Sequence, residues 1–139
     1  MSYILLVDDD ESFRKMLRIK LVKMGHAVLE ACHGFEAMKL YEQRTPDLVI
    51  TDLVMPGGIT GRELAEKLTT KSPPLRVIYM SGYSLNVISK DTDFLTRNKN
   101  NFLQKPFLSD ALLNTVRESL DGRTSAARAG RSGNTAAHN

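Results

Sequence analysis

Five short apolar runs, separated by segments with helical periodicity, constrain this chain more than any other feature. Residues 3–7 (YILLV), 27–31 (AVLEA), 47–51 (DLVIT), 76–80 (RVIYM) and 101–104 (NFLQ) are mostly apolar and lack strict alternation. Runs of that kind suit strands buried on both faces. In residues 11–24, Phe13, Met16, Leu17, Leu21 and Met24 recur at spacings of three and four, with Arg14, Lys15, Arg18 and Lys23 on the other side. That is an amphipathic helix, with Asp10 as its N-cap and Gly25 as its stop. A second helix is expected over 35–43, closed by Pro46. A third begins at Thr60, where "TGRE" forms a capping box between Thr60 and Glu63, and ends before Pro73. A fourth, weaker helix is expected within 84–96, where the apolar pattern is poor. The fifth starts at Ser109 and carries Leu112, Leu113, Val116 and Leu120. The order βαβαβαβαβα predicts an α/β fold, a doubly wound parallel five-stranded sheet with helices on both faces.

The 139 residues, 42% hydrophobic and 25% charged, suit one domain with a proper core. The expected domain is 1–120. Residues 121–139 are small and polar and are expected to form a disordered tail. That tail holds three arginines against Asp121, so it carries most of the net charge of +3. The basic balance is therefore poor evidence for nucleic-acid binding, and no nucleic-acid partner is expected. No apolar run approaches a membrane span, and no secretory signal is visible. The lone Cys32 fits a reducing compartment, so a cytoplasmic protein is expected, without a membrane partner. His26, His33 and His138 have no ligand-like spacing and are read as surface residues.

The first run leads directly into four acids, Asp8, Asp9, Asp10 and Glu11. Like charges so close repel, and burying them costs more still. Acids in the first turn of a helix complement its dipole, which accounts for Asp10 and Glu11 but requires nothing at Asp8. In a doubly wound sheet, sites form beyond the carboxyl ends of the strands. Asp8 and Asp9 follow the first strand there, and Asp52 follows the third. If those strands are neighbours, the three carboxylates make a hard-cation site suited to Mg²⁺, which offsets their repulsion. Ser81 follows the fourth strand and Lys105 the fifth, immediately before Pro106. In isolation Asp52 or Ser81–Gly82 would pass for turn residues, and Lys105 for a solvated lysine. Together they form a set suited to phosphoryl transfer: a metal and an ammonium to neutralise phosphoryl oxygens, a hydroxyl, and a carboxylate nucleophile.

The segments "LLVDDDE", "DLVITDLVMPGG", "MSGY" and "FLQKPF", in this order, resemble the receiver domain of two-component response regulators over about residues 2–120. The resemblance implies a flavodoxin-like (βα)5 fold with strand order 2-1-3-4-5. It implies that Asp52 takes a phosphoryl group from a phosphohistidine. It implies that Asp9 and Asp52 ligate Mg²⁺ directly, that Asp8 helps through water, and that the Val54 backbone carbonyl completes the protein ligands. Ser81, the Gly82 backbone and Lys105 would bind phosphoryl oxygens. Ser81 and Phe102 would move on phosphorylation, and Lys105–Pro106 would be cis. The implied partner is a histidine kinase or a histidine phosphotransfer protein, docking near the first helix.

Two features depart from the usual pattern. Receivers place a glycine one residue nearer to the phosphorylated Asp than Gly61 stands to Asp52, and the Ser81–Lys105 interval is longer than usual. With "GRELAEKL", "RVIYMSGY" and "FLQKPF", these resemble receivers of hybrid sensor histidine kinases. The polar 84–100 stretch also weakens the case for the usual output face of helix four, strand five and helix five. Val54 and Tyr83 flank the expected path of an attacking water, and their bulk predicts a long-lived phosphate. Two other readings compete. A pseudo-receiver would bind partners without phosphorylation. A Mg²⁺-dependent phosphatase with an aspartyl-phosphate intermediate needs a second acid near the nucleophile, and Val54 stands where that acid would be.

Overall fold

A computed structural model describes residues 2–55, 58–82 and 92–132, without the side chains of 92, 95 and 122–132. Its strands are β1 Tyr3–Val7, β2 Ala27–Ala31, β3 Leu48–Asp52, β4 Arg76–Ser81 and β5 Phe102–Gln104. Its helices are α1 Glu11–Lys23, α2 Gly34–Gln43, α3 Gly61–Lys71, α4 Thr92–Asn98 and α5 Ser109–Ser132. The sheet runs β2-β1-β3-β4-β5, and every neighbouring pair is parallel. This is the expected order, with the direction of winding reversing at β1 and β3.

The pleat divides the apolar strand residues between two layers. Ile4, Leu6, Leu48, Ile50, Ile78, Met80 and Leu103 meet Leu17 and Leu21 of α1 and Leu112 and Val116 of α5. Leu5, Val7 and Val49 face the other way, onto Ala37 and Tyr41 of α2 and Leu64 and Leu68 of α3. Burial on both sides explains why β1 and β3 read as unbroken apolar runs instead of alternating ones. A smaller cluster of Leu53, Ala65, Tyr79 and Phe94 joins α3 to α4, with Phe102 packed against it.

The expected helix signals act as read. The Asp10 side chain accepts from the Phe13 N–H, and Gly25 takes a positive φ of 97° just beyond α1. Thr60 and Glu63 form the reciprocal capping box of α3. The start of α2 differs from its expected place by one residue, at Gly34. His33 is its N-cap, not merely a surface residue: Nδ1 accepts from the Glu36 N–H at 3.2 Å. The helix also ends before Pro46 intervenes, with Arg44 as C-cap. Among the described residues, the seven-residue helix Thr92–Asn98 overlaps the end of the window expected for the fourth helix. The remainder of that window, residues 84–91, and Tyr83 with it, lie outside the described residues.

The expected tail, 121–139, is described only as far as residue 132. The stretch from residue 121, expected to be disordered, continues α5 as helix to Ser132. It contains no proline, and Ala126, Ala127, Ala129 and three arginines are strong helix formers that outweigh Gly122 and Gly130. Polar composition spoke against a packed core there, but a helix does not require one.

Candidate functional site

Strand register brings the acids together. Val7 pairs with Thr51, and Asp52 pairs with Met80, so Asp8 and Asp52 leave the sheet at one level on adjacent strands. Asp52 and Ser81 are the last residues of their strands instead of the first beyond them. Backbone bonds carry the ladder past the strand ends: Asp8 N to Ala31 O at 3.1 Å, Leu53 N to Met80 O at 2.8 Å and Lys105 N to Ser81 O at 2.7 Å. The last of these ties the lysine's strand end to the serine's. The Lys105–Pro106 bond is cis, as expected.

Asp8 is fully buried, and each of its polar groups has a partner. Oδ1 accepts from the Asp10 N–H at 2.9 Å, Oδ2 from Lys105 Nζ at 2.8 Å, and the carbonyl from Arg14 Nη1 at 2.7 Å. Asp52 is 8% exposed and shares the same ammonium, with Oδ2 3.3 Å from Lys105 Nζ. Asp9 is exposed. One carboxylate oxygen from each of Asp8, Asp9 and Asp52 lies within 4.8 Å of the others. Two buried acids and one exposed acid, all hard oxygen donors converging on one point, fit a Mg²⁺ ion that keeps some of its waters.

The electrostatics follow from the crowding. Burial pushes the Asp52 carboxyl up from 3.8 to about 6; Lys105 opposes this, while Asp8 and Asp9 add to it. For Lys105, burial alone would lower the ammonium. Its bonds and charge interactions with Asp8 and Asp52 outweigh burial, and its pKa rises. The two directions agree: one ammonium serves two carboxylates and stands closer to Asp8, so Asp52 receives the smaller share.

Ser81 is buried at the same rim, and Gly82 beside it is exposed. Val54, two residues beyond Asp52, is 61% exposed. Phe102, level with Tyr79 on the neighbouring strand, is half-buried against the α3–α4 cluster. Gly61 stands where no side chain fits: a Cβ there would lie 2.0 Å from the Asp52 carbonyl oxygen. Its N–H also donates to Leu53 O at 2.9 Å. The lengthened loop therefore still returns a glycine to the back of Asp52.

The acids, Ser81 and Lys105 that the sequence singles out thus meet at one rim. Sequence reasoning missed four neighbours. Phe13 places its ring centroid 4.4 Å from Lys105 Nζ, and Phe107 meets that ring edge-on at 5.7 Å. Arg14 holds the Asp8 carbonyl while its Nε pairs with Glu30 at 2.8 Å. Thr51 Oγ1 donates to the Asp52 carbonyl at 2.9 Å. The available signal was position: a helix starting three residues after Asp8 must bring its first turn over the rim.

Residues 4–117 match the response regulator receiver domain. The chain belongs to that family. The response regulator receiver protein CpdR of Brucella abortus is 32% identical over 120 residues, covering 86% of this chain and 98% of CpdR. The sensor kinase CckA of the same organism is also 32% identical over 120 residues, but those are 85% of this chain and 12% of the kinase. A solved receiver domain from the hybrid histidine kinase CckA matches with a TM-score of 0.67 at 30% identity, covering 85% of this chain and 98% of that one. The response regulator TrrA of Thermotoga maritima, solved with Mg²⁺ and BeF, gives a TM-score of 0.74 at 32% identity, over 86% of this chain and all of that one. The resemblance to receivers of hybrid kinases is thereby supported, and the fold is that of the family. Receiver domains are signalling modules rather than conventional enzymes. Among the described residues, no helix is long and apolar enough to cross a membrane.

Proposed function

We propose that this receiver is a phosphoacceptor switch in which Asp52 takes a phosphoryl group from a phosphohistidine. The carrying observation is the shared ammonium: Lys105 Nζ lies 2.8 Å from Asp8 and 3.3 Å from Asp52, within a triad of convergent acids. An Asp52 oxygen attacks phosphorus in line, the P–N bond breaks, and its electron pair returns to the imidazole nitrogen of the donor. Asp9 and Asp52 would hold Mg²⁺ directly together with the Val54 carbonyl. Asp8, both of whose oxygens already accept hydrogen bonds, would act through water. Bound there, Mg²⁺ would neutralise acids and phosphoryl oxygens alike. Lys105, Ser81 and the Gly82 N–H would take the phosphoryl oxygens, and Ser81 and Phe102 would shift with the new charge.

The donor would be a histidine kinase or a phosphotransfer protein. Beside the rim, α1 exposes Met16, Ile19 and Val22 among Lys15 and Lys23, an apolar surface with basic edges. Such a surface suits a helical partner with an apolar face and acidic borders. A phosphatase reading would place its second acid two positions beyond Asp52, where Val54 stands. The test is incubation with labelled phosphohistidine donors, with and without Mg²⁺. The expected result is an acyl phosphate on the wild type and none on Asp52→Asn. Equal labelling of both proteins would overturn the proposal, and binding of partners without any labelling would favour the pseudo-receiver.

A further inference from the structure

We propose that Phe13 is a positioning residue for Lys105, its ring face forming the third wall of the ammonium site; this rests on the phosphoacceptor reading. Among the described residues the ammonium meets Asp8 Oδ2 at 2.8 Å, Asp52 Oδ2 at 3.3 Å and the Phe13 ring, centroid at 4.4 Å. That distance lies within cation–π range. The ring cannot swing away freely. Phe107, two residues beyond Lys105, meets it edge-on at 5.7 Å and 83°. Behind it, the Phe13 N–H is held by the Asp10 cap at 3.1 Å. Thus the third acid of the opening run acts through the helix cap to place an aromatic ring over the lysine.

The chemistry explains why a ring suits this position. Lysine is a compact charge on a flexible stem. In phosphotransfer its ammonium must leave the Asp52 oxygen for a phosphoryl oxygen without drifting into solvent. A third carboxylate would hold it too firmly and add charge to a crowded site. A bare aliphatic wall would exclude water but attract nothing. An aromatic face attracts the ammonium without imposing a hydrogen-bond direction, so the charge can pivot while remaining in place.

The test replaces Phe13 by phenylalanine carrying one, two and three ring fluorines, which withdraws charge from the face at nearly constant shape. Phe13→Tyr and Phe13→Leu accompany the series. The readouts are the rate of Asp52 phosphorylation by a small phosphoramidate donor, the Mg²⁺ affinity and the melting temperature. The rate is expected to fall stepwise with fluorination, by roughly three- to tenfold across the series. Mg²⁺ affinity and melting temperature should hold, and Phe13→Tyr should stay near wild type. A rate independent of fluorination overturns the proposal while leaving the phosphoacceptor reading intact. A wild type that takes no phosphoryl group on Asp52 overturns both. If Phe13→Leu unfolds, the fluorinated series still decides.

Discussion

Asp52 is held where its neutral form is favoured more than that of an ordinary aspartate, yet its proposed chemistry needs the anion. Its carboxyl sits at about 6 in the folded chain against an ordinary 3.8, first through burial and then through its acidic neighbours. The raised value means the folded state binds this proton more tightly than the unfolded state does. Ionisation of Asp52 therefore costs stability as pH rises from about 4 through about 6, and the cost is constant above that window. Asp52→Asn should raise the melting temperature of the metal-free protein at pH 7.5, and the gain should shrink toward zero by pH 4; thermal melts of both proteins across that range check this. Mg²⁺ should narrow the gap at pH 7.5 by stabilising the anion. Gly61 makes a second case at this scale. A methyl group there would strike the Asp52 carbonyl, so Gly61→Ala should cost roughly 1–3 kcal/mol by displacing backbone. Denaturant unfolding should show that loss together with slower phosphorylation. The three acids were legible because each follows an apolar run. The need for glycine at 61 was legible only as an offset from the family spacing, since its cause is a close approach between the start of α3 and the end of β3.

Helix α1 does more than cover the sheet. Its first turn supplies Phe13 to the lysine and Arg14 to the Asp8 carbonyl, and Glu30 on the edge strand β2 receives both Arg14 at 2.8 Å and Arg18 at 2.9 Å. Arg14 is mostly buried, its side chain 12% exposed, so its removal leaves a carbonyl and half of a carboxylate without a partner. Arg14→Leu should therefore cost roughly 2–3 kcal/mol. It should also weaken Mg²⁺ binding, because Asp8 loses its anchor; calorimetric titration measures that second effect separately. The amphipathic pattern revealed α1 and its caps. It could not reveal which polar residue of the helix turns inward, because the rotation of α1 over β1 is a tertiary outcome. Arg14 was read with the solvated face for that reason. Beyond Leu120 the helix α5 runs on to Ser132, where alanine and arginine favour helix locally.

At the scale of the whole molecule, function depends on strand order. Alternating strands and helices establish a parallel sheet, but periodicity alone does not say that β1 lies beside β3; the family resemblance supplied that adjacency. Once β1 and β3 are neighbours, carboxylates 44 positions apart in the chain share one rim, and the reversal of winding leaves a crevice above them. All the proposed site residues lie before Pro106, and the core contributed by α5 ends at Leu120. A chain ending at Asp121 should therefore retain Mg²⁺ affinity and its melting temperature, losing only helical circular dichroism from the extension of α5. A large fall in stability would instead make 121–132 part of the domain.

The central claim is that distant segments assemble a phosphoacceptor at Asp52. Mapping the modified residue after transfer from a phosphohistidine donor, by reductive trapping of the acyl phosphate and peptide mass spectrometry, tests it most directly. The account predicts a single Mg²⁺-dependent modification on Asp52, lost when Lys105 is replaced by alanine or when the metal is chelated. Modification on another residue, or label that persists in Asp52→Asn, would contradict it.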